Sequence, residues 1–163
     1  MAATVQIHEM TASETGTDKT DGTVRFKSAD ETSVDTNNRL TIPTSGTDYS
    51  YTKQLQLNVT VAPDTDLQDL EAYSDGGNGF GTGVGVQYDT DGSFSANVDT
   101  DISGTDLFTA DSGSPIDMDA TNTGPHTGTG YQGDLLRLQM TVADTATQGT
   151  LTAETLTFSY TET

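Results

Sequence analysis

The chain has 163 residues, the size of one ordinary domain, and a formal net charge of -19. Nineteen Asp and six Glu stand against three Lys and three Arg, cysteine is absent, and Thr is the commonest residue with 32. These numbers exclude disulfides, Cys-type zinc sites and thiol catalysis, and a charge of that sign argues against a nucleic-acid or anionic-membrane partner.

The first apolar pair, Val5 and Ile7, marks a short strand. A Thr- and Gly-rich stretch over 12–22 reads as a long loop, and residues 1–22 together read as an extended arm. Val24 with Phe26, then Leu40 with Ile42, mark two weaker strands. The strongest pattern runs from Tyr49 to Ala62: Tyr49, Tyr51, Leu55, Leu57, Val59 and Val61 alternate with Ser50, Thr52, Gln54, Gln56, Asn58 and Thr60. Period two over that length predicts a half-buried strand, and Lys53 on the apolar face places that end near a sheet rim. Leu67, Leu70 and Tyr73 have mixed spacing, which fits a helical turn or a bulged strand. Val84, Val86 and Tyr88 predict another strand, and Phe94, Ala96 and Val98 a further one after the Asp-Gly turn. Residues 112–130 read as a second long loop. Leu136, Leu138, Met140 and Val142, then Leu156, Phe158 and Tyr160, form two alternating runs joined by a Gly-containing turn, which suggests an antiparallel hairpin. No amphipathic helix and no repeat appears, so the fold class is all-β: a single antiparallel β-sandwich or jelly-roll-like domain with long loops.

An apolar fraction of 31% with high net charge is ordinarily the composition of disorder. The strict alternation and the β-branched filler Thr oppose that reading. Self-repulsion at this charge destabilises a compact state in dilute buffer. Molar salt shortens the Debye length to roughly 3 Å and screens it. The composition therefore fits a high-salt setting, such as a haloarchaeon or one of its viruses. The opening MAATVQIHEM lacks the basic and apolar regions of a signal peptide. No apolar run nears the roughly 20 residues that span a bilayer.

Chemistry-bearing residues are few. His8 lies on the polar side of the first strand and His126 in the Gly-rich TGPHTGTG; neither is spaced for metal binding. The glycines of GTGVG and TGTGYQG lack the Lys and helix of a phosphate cradle. Carboxylates are too plentiful for any pair to mark a glycosidase, and there is no Trp. No catalytic, cofactor-binding or metal residue is assigned. Calcium is the one ion the sequence suggests, through Asp89, Asp91 and Gly92, then Asp99, Asp101 and Asp106, then Asp117 and Asp119. No Glu closes either loop, so a charged hairpin turn is the favoured reading. Asn58-Val59-Thr60 is a formal glycosylation sequon placed mid-strand.

The segment YSYTKQLQLNVTVAPDTDLQDLEAYSDGGNGFGTGVGVQYDT and the ending ATQGTLTAETLTFSYTET resemble small β-sandwich virion proteins of tailed viruses of bacteria and archaea. In that set an aromatic-rich strand leads into a YSDG turn and then GTGV, and a strand of the form E-T-L-T-F-x-Y closes the domain. The resemblance covers residues 49–90 and 131–163; the usual Trp-containing cluster is reduced here to Tyr49 and Tyr51. It implies a non-enzymatic structural role as a capsid decoration or turret protein, or a neck, tail or fibre component, on the particle exterior. The partners expected from it are other virion proteins and further copies of the chain, with no nucleic acid and no membrane. From the sequence itself, the alternative is a carbohydrate-binding sandwich with Tyr73, Phe80, Tyr88 or Tyr131 as its aromatic platform.

Overall fold

The computed structural model describes residues 2–11 and 15–163. Ten strands and one short 3-10 turn form two antiparallel sheets. Along the chain these are β1 (Thr4–Met10), β2 (Gly16–Asp18), β3 (Thr47–Tyr49), β4 (Lys53–Val61), β5 (Leu67–Tyr73), β6 (Val84–Asp91) and β7 (Thr105–Asp106). The turn Leu107–Thr109, β8 (Ile116–Asp117), β9 (Gly130–Ala143) and β10 (Thr157–Glu162) follow. The large sheet has the order β2-β1-β4-β9-β6-β7, with β3 also on β9; the small sheet is β10-β5-β8. One apolar cluster joins them. Leu55, Leu57, Val59, Val84, Val86, Leu136, Leu138 and Met140 from the large sheet meet Leu67, Leu70, Ala72 and Ile116 from the small one. The all-β, sandwich-like domain expected from the sequence is thus present. Leu57 and Leu136 are fully buried, and each such side chain contributes about 1.5–3 kcal/mol relative to exposure.

The period-two run over 49–62 is two strands rather than one. β3 and β4 lie in succession along β9, with Thr47 opposite Ala143 and Lys53 opposite Leu138. Between them the backbone changes partners: Tyr51 N–H donates to Lys27 O and Thr52 N–H to Val98 O. Nor is β4 half-buried. Gln54 and Gln56 on its polar face are buried along with Leu55 and Leu57. Residues 93–104, where a strand was expected around Phe94, Ala96 and Val98, form no ladder. They lie as a strap across the polar face. Gln54 Nε2 donates to Ser95 O at 2.5 Å and to Asn97 Oδ1 at 2.7 Å. Gln139 Nε2 donates to Ser50 O and Thr100 O, while its Oε1 accepts from Gln87 Nε2 and Ile102 N–H. Buried amides of the sheet and the backbone of the strap satisfy one another, which is what allows both to leave water.

Three other expectations are corrected. Residues 1–22 are no extended arm: β1 pairs with β4 over its full length, and β2 folds back on β1 as a hairpin with His8 opposite Asp18. Residues 12–14 of the expected loop lie outside the described residues. The region of Val24, Phe26, Leu40 and Ile42 contains no strand; Val24, Phe26 and Leu40 instead pack against the core from an irregular segment. The two C-terminal runs do not form a hairpin either. Both edges of β9 are occupied by β4 and β6, so the chain crosses to the other sheet and β10 pairs with β5.

Two bulges shape the region between the sheets. In β5 the pairing passes from Ser159 opposite Glu71 to Thr161 opposite Gln68, so β5 carries one extra residue. Asp69, at φ 51°, absorbs it, and this explains the mixed spacing of Leu67, Leu70 and Tyr73: the buried residues after Leu67 are Leu70 and Ala72, with Tyr73 half-buried. In β9 a step of two residues along β4 (Leu55 to Leu57) faces a step of four along β9 (Leu136 to Gln132). Gly133 there has φ 69°, and a Cβ on it would stand 2.6 Å from Met118 O and 2.8 Å from Leu70 Cδ1. Only glycine fits a position that is both left-handed and this crowded. The bulge turns Asp134 inward, where it is fully buried and accepts from the N–H groups of Thr121 and Asn122.

Candidate functional site

All three lysines are internal. β1 and β4 set Glu9 opposite Leu55, one step diagonally from Lys53 on the same face. The Lys53 ammonium lies 2.9 Å from Glu9 Oε1, with the two side chains 2% and 1% exposed. Lys53 is therefore not at a solvated rim, as its sequence position suggested. It also donates to the carbonyl of Glu31. On the other side, Lys19 Nζ lies 3.3 Å from Glu9 Oε2 and donates to Thr32 O at 2.8 Å. Glu9 Oε2 makes no hydrogen bond, so charge alone holds it there. Lys27 completes the group, donating to Glu31 Oε1 at 2.6 Å, Ser33 Oγ at 2.8 Å and Asp35 Oδ1 at 2.8 Å. The three ammonium groups thus converge on residues 31–35 and pin that segment where β1 ends and β4 begins. Burial opposes the charge on Lys27, but the hydrogen bonds from Asp35 and Glu31 outweigh it and raise its pKa above the ordinary lysine value. The Lys27 hydrogen bond in turn holds the carboxyls of Glu31 and Asp35 below their usual range, helped by Asn38 and by the Asn37 N–H respectively. The sequence carried a hint of this: only three lysines in so acidic a chain, two of them, Lys19 and Lys27, shortly ahead of the acidic stretch 30–35.

The candidate calcium residues are dispersed. Asp89 is ion-paired with Arg137, whose Nε donates to it at 2.7 Å. The same Asp89 hydrogen bond raises the Arg137 pKa against burial. Asp91 accepts from Ser93 N–H and closes its turn. Asp101 accepts from Gln87 Nε2, Ser103 N–H and Tyr49 Oη, and the first two of these chiefly lower its pKa. Asp106 caps the 3-10 turn through Phe108 N–H, and Asp99 is exposed. Asp117 accepts from Asp119 N–H. Asp69, Glu71, Asp117 and Asp119 line a shallow acidic depression beside Pro115. Among the described residues, no three carboxylate or imidazole groups come together as a metal would require.

The histidines are held by neighbours. His126 is 5% exposed, its Nε2 is 2.7 Å from Asp119 Oδ1 and its Nδ1 is 3.0 Å from Gln132 Oε1. Its N–H donates to Asp66 Oδ1 and its carbonyl accepts from Leu67 N–H, which ties the 112–130 segment to β5. That segment is a fastened part of the fold, with Met118 fully buried, rather than a free loop. His8 is half-buried. Its Nδ1 lies 3.1 Å from Tyr131 Oη and its Nε2 3.3 Å from Asn58 Nδ2. The sequon residue Asn58 therefore sits mid-strand with its amide engaged.

Of the four aromatic candidates, Phe80 stacks edge-on against Phe108 at 5.9 Å and Tyr88 packs on the core. Tyr73 is half-buried, and only Tyr131 is exposed, at 40%. Tyr131 borders an open groove of about 420 Å³ on the polar side of β4 and β9 that the strap leaves uncovered, lined also by Gln56, Asn122, Thr123, Pro125, His126, Gln132 and Gly133. Its hydroxyl accepts from Gly16 N–H at 3.1 Å, and the His8 ring packs edge-on against the phenol at 5.6 Å, so the ring is held in place.

No protein-family model, no curated protein and no solved structure matches this chain. Among the described residues no helix is long and apolar enough to cross a membrane.

Proposed function

We propose that the chain is a non-enzymatic structural component of a particle that works in concentrated salt, most concretely a decoration or turret protein on the outside of a tailed-virus capsid. A neck, tail or fibre position belongs to the same class. One observation carries the reading. All three lysines are turned inward onto Glu9, Glu31 and Asp35, which leaves Arg25 and Arg39 as the exposed cations on an exterior dominated by carboxylates. Residues 54–163 hold seventeen acids against the single cation Arg137. Such an exterior repels itself in dilute buffer and is screened in molar salt, whereas the buried pairs are screened far less. The long connecting segments support the same reading, since their polar groups fasten the domain to itself instead of converging on a reacting centre. The resemblance over 49–90 and 131–163 supplies the particle.

The test is the mass of the purified protein by light scattering at 2 M and at 0.1 M NaCl. A discrete oligomer that needs the high salt is the expected result, because symmetric decoration proteins bury shared surface between copies. A folded monomer at both salts would overturn the assembly role. Truncation of residues 1–20 is not a usable probe of assembly, because it removes both β1 and β2 and strips the edge of β4.

A further inference from the structure

The groove beside Tyr131 does not follow from a particle role. We propose that it is a binding site for a neutral saccharide. In a chain with 25 acidic residues, none of the groove's lining residues is Asp, Glu, Lys or Arg. What lines it is two glutamines, an asparagine, a threonine, a proline, a glycine, a tyrosine and the imidazole of His126, whose Nε2 is already engaged by Asp119. Neutral sugars offer hydroxyls, which pair with amides in either direction, and apolar C–H faces, which stack on an aromatic ring. A cationic ligand would be drawn to the carboxylates elsewhere on the surface, and an anionic one would be repelled by the molecule as a whole.

The groove is pre-organised. Tyr131 is fixed through its hydroxyl by Gly16 N–H and His8, which leaves the ring as a platform. Gln56 Nε2 donates to Gly133 O at 2.8 Å and Asn122 Nδ2 to Gly92 O and Gly133 O, so both amides are anchored by their nitrogens. Their carbonyl oxygens make no hydrogen bond among the described residues. Gln132 is the reverse: its Oε1 is held by His126, which leaves the NH2 group. The groove therefore presents two acceptors and a donor, set in place before any ligand arrives, beside one stacking surface. Pre-organisation of this kind lowers the ordering cost of binding.

The experiment is saturation-transfer NMR of the intact chain in 2 M NaCl against glucose, galactose, mannose and N-acetylglucosamine and their short oligomers. Transfer to at least one neutral sugar is expected. Tyr131→Ala should weaken it by about tenfold or more, as loss of one stacked ring implies, while Tyr131→Phe keeps most of it. Thr123→Arg, which lays a long side chain over the groove from an exposed position, should abolish it without touching the fold. Tyr160→Ala, at an exposed tyrosine on β10, should change nothing. Absence of transfer from every neutral sugar overturns the proposal, as does transfer that survives both Tyr131→Ala and Thr123→Arg.

Discussion

Lys53 shows how far a single side chain can mislead when its partner lies in another strand. On the sequence it interrupts an apolar face and reads as a rim. In the fold it is 1% exposed because Glu9, brought alongside by the β1–β4 pairing, neutralises it. Glu9 is shared by two lysines, so removing it leaves two uncompensated buried charges, Lys53 and Lys19. Glu9→Leu should therefore destabilise by about 3–5 kcal/mol in denaturant unfolding. Lys53→Met added to it should recover part of that loss, since one of the two lone ammonium groups is then gone. Gly133→Ala tests the β9 bulge. A left-handed residue whose Cβ meets a backbone carbonyl should cost about 1–3 kcal/mol, read as a lowered Tm. The Lys27 group makes a pH prediction. Glu31 and Asp35 have folded pKa values below their unfolded ones, so their contribution is full at neutral pH and is lost as the pH falls through the folded values. Glu31→Gln with Asp35→Asn should shrink that acid-side loss of Tm in a melt series from pH 6 to pH 2. Beyond the scarcity of lysine and its nearness to the acidic stretch 30–35, these pairings were not legible beforehand, because spacing along the chain does not say which distant charge a lysine will meet.

At the scale of elements, legibility followed periodicity. β4, β6 and β9 alternate strictly, and the structure has strands there. Period two states which residues share a face and leaves open what covers it. The polar face of β4 and β9 looked solvent-bound and is instead roofed by residues 93–104, whose own sequence resembles a strand. The strap is held by glutamines rather than by a ladder, and Gln139 alone serves Ser50, Thr100, Gln87 and Ile102. Gln139→Leu should strand several buried groups, lower stability by about 1–3 kcal/mol, and speed hydrogen exchange at Ile102 N–H before the β4 amides respond. An unchanged exchange rate there would mean that the strap is fastened otherwise. The misread C-terminal hairpin has a similar cause. Two adjacent alternating runs suggest pairing, but β9 already had partners on both edges, and only the whole topology reveals that. The groove was half legible: Tyr131 stood among four aromatic candidates, and only the burial of Phe80, Tyr88 and Tyr73 singles it out.

For the whole molecule, the composition carried the clearest message and the fold gives it a mechanism. A net charge of -19 on 163 residues is a liability in dilute buffer. Here the three lysines are spent inside, where they fasten β1, β4 and the 31–35 segment rather than relieve repulsion at the surface, and of the six cations Arg25 and Arg39 are exposed. Five of the six lie between residues 19 and 53. The apolar cluster between two sheets supplies cohesion, and screening of the exterior decides how much of it survives as net stability. The sequon at Asn58 belongs to this picture as a strand residue, and an intact mass of 17.1 kDa without added glycan is expected.

The central claim is that this domain is built for concentrated salt, and the thermal midpoint followed by far-UV circular dichroism across NaCl concentration tests it most directly. Between 0.1 M and 2 M the account predicts a rise in Tm of about 10 °C or more, the size that a few kcal/mol produces in a domain this long. A Tm that stays level or falls over that range would contradict it.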